Sequence, residues 1–391
     1  MAAPDMKPTR PLVSVCVANY NGMAIIDACL QSILSQEGGL PVEILVHDDC
    51  STDGSAAHIR ANYPGVRLME SSANVGFCIA NNRMAAEAAG DYLLLLNNDA
   101  ELFPDALQSL LSVAERLRRP AILSLPQYDA ATGELLDTGS LLDPFLNPVP
   151  NLDPQREEVG MVMGACLWIP RALWTGLGGF PEWFGSIGED LNLCCHARLL
   201  GHPVIAVHRS GYRHRVGYSF GGGKVQRGRL VTSIRRRALS ERNKSYVMVL
   251  TYPTAYLALL FPIHLAALLL EGLVLTLVKR DVLVWNEIYL DLPQDALEGT
   301  PLPAPTAPGS PAHAKRPGPG LLRGVRLDAL QAAHAVETRH SGVPVARQHT
   351  RDLRRRAPSP AADPGCARSD RRTARSRSPT RSNDRPPSGR Q

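Results

Sequence analysis

Three polar clusters each close an apolar run, and their residue types suit the binding of a nucleotide and a metal. Asn19-Tyr20-Asn21-Gly22 follows residues 12–18, His47-Asp48-Asp49 follows 42–46, and Asn97-Asn98-Asp99 follows 91–96. A carboxylate at the end of a strand can accept hydrogen bonds from a nucleobase N–H or from ribose hydroxyls, which makes Asp48 and Asp49 binding candidates. The same segment also suits the start of a helix, and Asp53 is read that way. Asp99, behind two amides, suits a divalent ion such as Mg²⁺ or Mn²⁺ that takes most of its shell from phosphate oxygens and water. Asn and Asp are equally at home in a plain turn.

Two further groups could take part. Glu189-Asp190 follows Gly185-Ser186-Ile187-Gly188. A carboxylate there could take the proton of an attacking hydroxyl, or simply complement a helix N-terminus. His208 follows a short apolar run and could offer a neutral imidazole to the same ion. Asn74-Val75-Gly76-Phe77 reads as a loop and helix start, where Asn74 and Gly76 would serve either donor contact or the turn itself.

These residues need elements to hold them. Residues 12–18, 42–46, 66–69 and 91–96 read as buried strands, and 26–34, 53–63, 78–89 and 104–118 as helices between or after them. This alternation predicts an α/β fold with a mostly parallel central sheet flanked by helices. In such sheets ligands bind beyond the carboxyl ends of the strands, where all three clusters fall. Residues 121–160 read as irregular, 162–169 as a strand, 191–200 as a helix and 204–207 as a short strand. Residues 255–278 form an apolar run long enough to span a bilayer. Pro262 interrupts it, and His264 and Glu271, seven apart, share one helical stripe. A helix lying in the membrane interface, or packed on the body, fits as well as a span. Arg235–Arg237, Arg242 and Lys244 would help it to dock on anionic lipid.

Composition divides the chain. All 21 aromatic residues lie before residue 301, and residues 301–391 carry 18 Lys and Arg against 6 Asp and Glu, with 14 of the 32 prolines. The formal net charge of +5 therefore joins an acidic body to a basic tail, which reads as disordered. Only Lys315 among the tail's basic residues is Lys, a bias that a shifted reading frame of a GC-rich gene would produce. The tail has no aromatic side chain on which bases could stack, so nucleic acid is not an expected partner. None of the eight cysteines forms a CxxC pair, and the first eleven residues hold no apolar stretch of their own. A reducing compartment without a secretory signal is expected. Nucleotidyl transfer is disfavoured, since the first loop lacks a glycine-rich, basic phosphate cradle.

Order and spacing together exceed what any single cluster supports. The blocks VSVCVANYNG, VHDDCSTDGS, NVGFCIANN, LLLLNNDAEL, GACLWIPRALWTGLGGFPEWF, GEDLNLCCHARLLG and RNKSYVMVLTYP run in order across about residues 11–250. In this the chain resembles the family 2 glycosyltransferases, especially bacterial rhamnosyltransferase-like members. The resemblance implies a GT-A nucleotide-diphospho-sugar transferase fold and inversion at the anomeric carbon. It implies Asp48 as the nucleobase contact, Asp99 as the last residue of a DxD-like metal motif, Asp190 as catalytic base with Glu189 beside it, and His208 near metal and diphosphate. Asn19, Asn21, Asp49, Asn74, Gly76, Asn97 and Asn98 would line the donor site. The motif here is Asn97-Asn98-Asp99, one carboxylate short, and Asn192 stands where relatives often carry a second Asp. The expected organisation is a transferase domain over 11–245, an apolar membrane-proximal helical segment over 246–298, and a disordered Arg/Pro-rich tail over 299–391. The expected partners are a nucleotide diphosphate sugar, with dTDP-rhamnose among the candidate donors, and a glycan or polyprenyl-linked acceptor at the cytoplasmic face of a membrane. A catalytically inactive relative with a nonspecific basic tail is the alternative.

Overall fold

The computed structural model describes residues 10–151, 153, 155–215, 222–226, 229–280, 282–285 and 288–289. The first strand and helix pairs are β1 (Val13–Asn19), α1 (Ile26–Leu34), β2 (Val42–Asp48), α2 (Ser55–Asn62), β3 (Val66–Glu70), α3 (Phe77–Glu87) and β4 (Tyr92–Asn97). There follow β5 (Ala100–Leu102), α4 (Ala106–Leu117), β6 (Ile122–Ser124), β7 (Gln127–Asp129), β8 (Leu135–Asp137), β9 (Ser140–Leu142) and β10 (Pro148–Pro150). Next come β11 (Cys166–Pro170), α5 (Arg171–Leu177), α6 (Glu189–Leu199), β12 (Val204–Ala206) and β13 (Tyr212–His214). The chain goes on through a hairpin of β14 (Gly222–Gln226) and β15 (Arg229–Thr232) to α7 (Ile234–Thr251), α8 (Thr254–Lys279) and α9 (Val282–Trp285).

The main sheet has seven strands in the order β12-β6-β11-β4-β1-β2-β3. β4, β1, β2 and β3 run parallel, and β11 enters antiparallel between β4 and β6. The expected α/β GT-A arrangement is therefore present. Alternation along the strands explains why both faces are covered. Val13, Val15 and Val17 of β1, with Leu94 and Leu96 of β4, pack on α1 and α4. Cys16, Leu93 and Leu95 point the other way, into a second core with α3, α5 and α6. Helix α1 buries Ile26, Cys29, Leu30 and Ile33, a stripe at helical spacing.

Residues 121–160 are more ordered than their turn-rich composition suggests. They hold five short strands, of which β7 and β8 join β5 and β13 in a second, four-stranded sheet. Each strand has three residues, too few to display an alternation. Helix α7 begins at Ile234, so the expected boundary between residues 245 and 246 falls inside it. Its polar, Arg-rich first turns hid it from a search for apolar periodicity. Three residues of the basic stretch have partners within the molecule, while Arg235 is exposed. Arg237 pairs with Glu271, Lys244 with Glu241, and Arg242 bonds Asn243 and the Phe184 carbonyl.

Helix α8 is the one described helix long and apolar enough to cross a membrane. His264 bonds Ser245 Oγ on α7 at 2.9 Å, so the polar stripe formed with Glu271 faces α7. Leu259, Leu270, Leu273, Leu277 and Val278 are exposed on the helix's remaining surface. The tail expected beyond residue 298 lies outside the described residues.

Candidate active site

The three strand-end clusters converge, and the side chain of Asn19 joins them. Its Nδ2 donates to Asp48 Oδ2 at 2.8 Å and to Ser55 Oγ at 3.0 Å, and its Oδ1 accepts from Asn98 Nδ2 at 2.9 Å. Asn19, Asp48, Ser55 and Asn98 are all buried. Parallel registry places Asn19 opposite Asp48, and Ala18 opposite both His47 and Asn97, so the strands end level. Asp48 also accepts from the backbone N–H and hydroxyl of Ser51. Asn21, in the left-handed region at φ 49°, takes the Thr52 N–H on its Oδ1 at 2.8 Å. The first two loops are thereby locked together at the rim of the crevice.

Asp49 does different work from Asp48. Its two carboxylate oxygens accept the N–H groups of Val75 at 2.6 Å and Gly76 at 2.8 Å, which holds the loop before α3. Gly76 sits at φ 88°, a conformation that favours glycine. Asn74 stands exposed on this loop. The loop touches the other rim, where Cys78 N–H donates to the Gly185 carbonyl at 3.1 Å.

Asp99 is buried, and the histidine beside it is His214. Its Nε2 lies 3.0 Å from Asp99 Oδ1 and 3.4 Å from Asn97 Nδ2. His208, the histidine expected there, instead bonds the Arg156 carbonyl at 3.0 Å. The reason is registry: β13 runs antiparallel to β5 and sets His214 opposite Ala100, next to Asp99. A lone histidine at the end of a three-residue strand gives no periodic signal of this kind, so sequence reasoning missed it.

These residues fit a divalent ion in part. Asn97 Oδ1 and His214 Nδ1 are buried with no hydrogen-bond partner, on the two side chains whose Nδ2 and Nε2 meet beside Asp99. Among the described residues no three His, Cys, Asp or Glu side chains converge as a metal cage. The donor set therefore suits an ion that takes most of its ligands from phosphate and water.

The acidic pair opens α6. Asp190 Oδ2 accepts from Gly164 N–H at 2.9 Å and its Oδ1 from Leu191 N–H at 2.8 Å. The next residue, Ala165, takes the Asn97 N–H on its carbonyl at 3.0 Å. One residue of backbone thus separates the anchor of Asp190 from that of the Asn97 cluster. Glu189 is buried, and its Oε2 has no hydrogen-bond partner. Burial, then the neighbouring Asp190 carboxylate, push Glu189 up to about 8. Burial raises Asp190 as well, against its backbone N–H donors and the Arg236 guanidinium, which favour its ionised form. Near neutral pH this favours a protonated Glu189, while the two N–H donors and the guanidinium favour whatever charge the pair holds on Asp190. Arg236 has no counterpart among the residues singled out from sequence, where it was grouped with a lipid-facing basic stretch.

The chain is similar in sequence to known glycosyltransferases. Residues 14–171 match the model for glycosyl transferase family 2. The chain is 28% identical over 212 residues to an N-acetylglucosaminyl-diphospho-decaprenol L-rhamnosyltransferase of Mycobacterium tuberculosis, covering 46% of this chain and 69% of that protein. It is 30% identical over 205 residues to an uncharacterized glycosyltransferase of Haemophilus influenzae, covering 51% and 65%. A solved structure of GalNAc-T7 with UDP, GalNAc and Mn²⁺ aligns at a TM-score of 0.49 and 16% identity, covering 62% of this chain and 48% of that one. Across its curated relatives the chain spans between 23% and 69% of their length.

Two outcomes test the site's construction. A Cβ on Gly22 would collide with Asn19 Oδ1 and come within 2.6 Å of Asn98 Nδ2. Gly22→Ala should lower the unfolding free energy by about 2 kcal/mol in denaturant titrations, since neither buried amide has room to withdraw. An unchanged midpoint would mean that the amide network is not tightly held. The second outcome concerns Glu189, whose folded value of about 8 stands above its ordinary 4.5. Its contribution is complete below pH 4.5 and declines as pH rises toward 8, by about 1.4 kcal/mol per pH unit. Glu189→Gln removes that slope, so the variant should gain stability relative to the parent between those limits. A constant difference across the range would show that Glu189 ionises as an ordinary carboxylate.

Proposed function

Because the chain belongs to glycosyltransferase family 2, we propose that it moves a sugar from a nucleotide diphosphate sugar to a hydroxyl of a lipid-linked or polysaccharide glycan, with inversion. The observation that carries this is the acidic pair at the start of α6, anchored on Gly164 beside the Asn97–Asp99 strand end. Rhamnose is the proposed sugar and dTDP-rhamnose the donor, on the likeness to the mycobacterial rhamnosyltransferase.

Asp190 is the proposed base. It takes the proton of the acceptor hydroxyl, whose oxygen attacks the anomeric carbon from the face opposite the leaving diphosphate. The bond from that carbon to the phosphate oxygen breaks, and the configuration inverts. Glu189, kept neutral, leaves a single negative charge beside the acceptor. Asp48 and Asn19 form the floor on which the nucleoside is read, while Asn21, Asp49, Asn74 and Gly76 shape the rim. A divalent ion, Mg²⁺ or Mn²⁺, held by Asp99 with His214 and the Asn97 amide oxygen would offset charge on the departing diphosphate.

The exposed apolar surface of α8 supports association with a membrane surface at its cytoplasmic side, where a polyprenyl-linked acceptor would be met. With His264 and Glu271 turned to α7, the helix is suited to lie in the interface.

Asp190→Asn should reduce turnover at least a hundredfold while donor affinity, measured by calorimetry, stays within about threefold. The assay is release of nucleoside diphosphate from a donor panel with Mg²⁺ or Mn²⁺ and a lipid-extract acceptor. Near-parental rates in the variant would remove Asp190 as base, and no release by the parent from any donor would favour an inactive relative. For the membrane, Leu270→Asp with Leu277→Asp should lower partition of the full chain onto phosphatidylcholine–phosphatidylglycerol vesicles at least tenfold, since each Leu contributes about 2 kcal/mol when buried. Equal partition would exclude this face.

A further inference from the structure

We infer that Asn243 of α7 is a positioning residue for the reaction, holding the loop that aims Asp190 into the crevice. It deepens the proposed function and rests on Asp190 being the base. Asn243 is fully buried, and its Nδ2 faces three loop carbonyls, those of Phe184 at 3.2 Å, Ser186 at 3.1 Å and Ile187 at 2.7 Å. Its Oδ1 accepts from Arg242 Nε at 3.0 Å, which fixes the amide with its donors toward the loop. A second Arg242 nitrogen reaches the Phe184 carbonyl at 3.3 Å.

The loop needs such a clamp. Gly185, Ile187 and Gly188 all lie in the left-handed region, at φ 71°, 68° and 88°. For a β-branched residue such as Ile187 this conformation is strained, and it persists only where surrounding contacts dictate it. The residues that follow at once are Glu189 and Asp190. A Cβ on Gly188 would stand 3.3 Å from Asn243 Cβ, so loop and helix are already in close contact. Without the amide, the Ser186 and Ile187 carbonyls lose that donor, Phe184 keeps only its other partners, and Ile187 is free to leave its strained state. Asp190 then shifts relative to the acceptor hydroxyl, while Asn19, Asp48 and the other donor-side residues keep their places. A displacement of the order of 1 Å at a reacting group costs about a hundredfold in rate.

The test uses the full chain, the vesicle-bound lipid-extract acceptor and the panel dTDP-rhamnose, UDP-N-acetylglucosamine and GDP-mannose, carrying forward the donor that the parent turns over. Asn243→Ser, which keeps one donor group, should lower kcat tenfold to a hundredfold with donor KM within twofold, and Asn243→Asp should lower it further. A purely structural role would lower thermal stability and the active fraction while leaving kcat per folded molecule unchanged, and that outcome overturns the inference. Arg242→Met, which frees the amide to turn over, should give a smaller loss of kcat and serves if the Asn243 variants do not fold. Asp190→Asn is run in parallel: near-parental turnover there defeats the base assignment, whereas an inactive Asp190→Asn beside a fully active Asn243→Ser defeats the clamp alone. Hydrogen exchange reads the loop without turnover. Asn243→Ser should speed exchange over residues 185–191 and leave β1, β2 and β4 unchanged, and equal loop exchange would overturn the proposal.

Discussion

The Asn19 carboxamide is the interaction on which the crevice depends. One side chain satisfies Asp48 from β2, Ser55 at the start of α2 and Asn98 just beyond β4. An unpaired buried polar group costs about 1–3 kcal/mol, so removing any partner is felt by the other three. Gly22 follows from this network, since the backbone must pass where a methyl group would strike both amides. The level strand ends follow from parallel registry, and the amides turn that registry into a floor.

The opposite wall is built on different physics. Burying two adjacent carboxyl groups at the start of α6 is unfavourable if both are charged. The cost is met by leaving Glu189 protonated and giving Asp190 two backbone N–H donors. Arg236 adds an opposing charge from α7. The two walls are joined through backbone: Asp49 holds the Val75 and Gly76 N–H groups, and Cys78 N–H reaches the Gly185 carbonyl.

What could be read from sequence was what repeats locally. Apolar runs closed by Asn and Asp marked β1, β2 and β4 and their polar ends, because strand alternation and turn chemistry act over a few residues. The place of Asp190 at a helix start was legible for the same reason. His214 was not, because its closeness to Asp99 comes from pairing between β13 and β5, more than a hundred residues apart. His208 looked equivalent in one dimension and lies on the Arg156 carbonyl in three. The basic run at 235–244 had partners that its charge did not reveal. Charge suggested lipid, while tertiary contacts give Arg237, Arg242 and Lys244 partners within the protein.

Helix α7 reconciles two demands that pull apart. An apolar helix with a central Glu is costly to place against lipid unless that Glu is neutralised. Arg237 pairs with Glu271, and Ser245 bonds His264, so α8 can turn its polar stripe inward and leave leucines outside. The same α7 carries Asn243, bonded to the loop before Asp190, and Arg236, whose charge acts on the acidic pair. Residues adjacent in sequence, Arg236 and Arg237, thus serve the carboxylates and the apolar helix respectively. A rigid helix with both attachments ties the presentation of Asp190 to the element with the most exposed apolar surface. An acceptor with a lipid anchor would have to satisfy both at once.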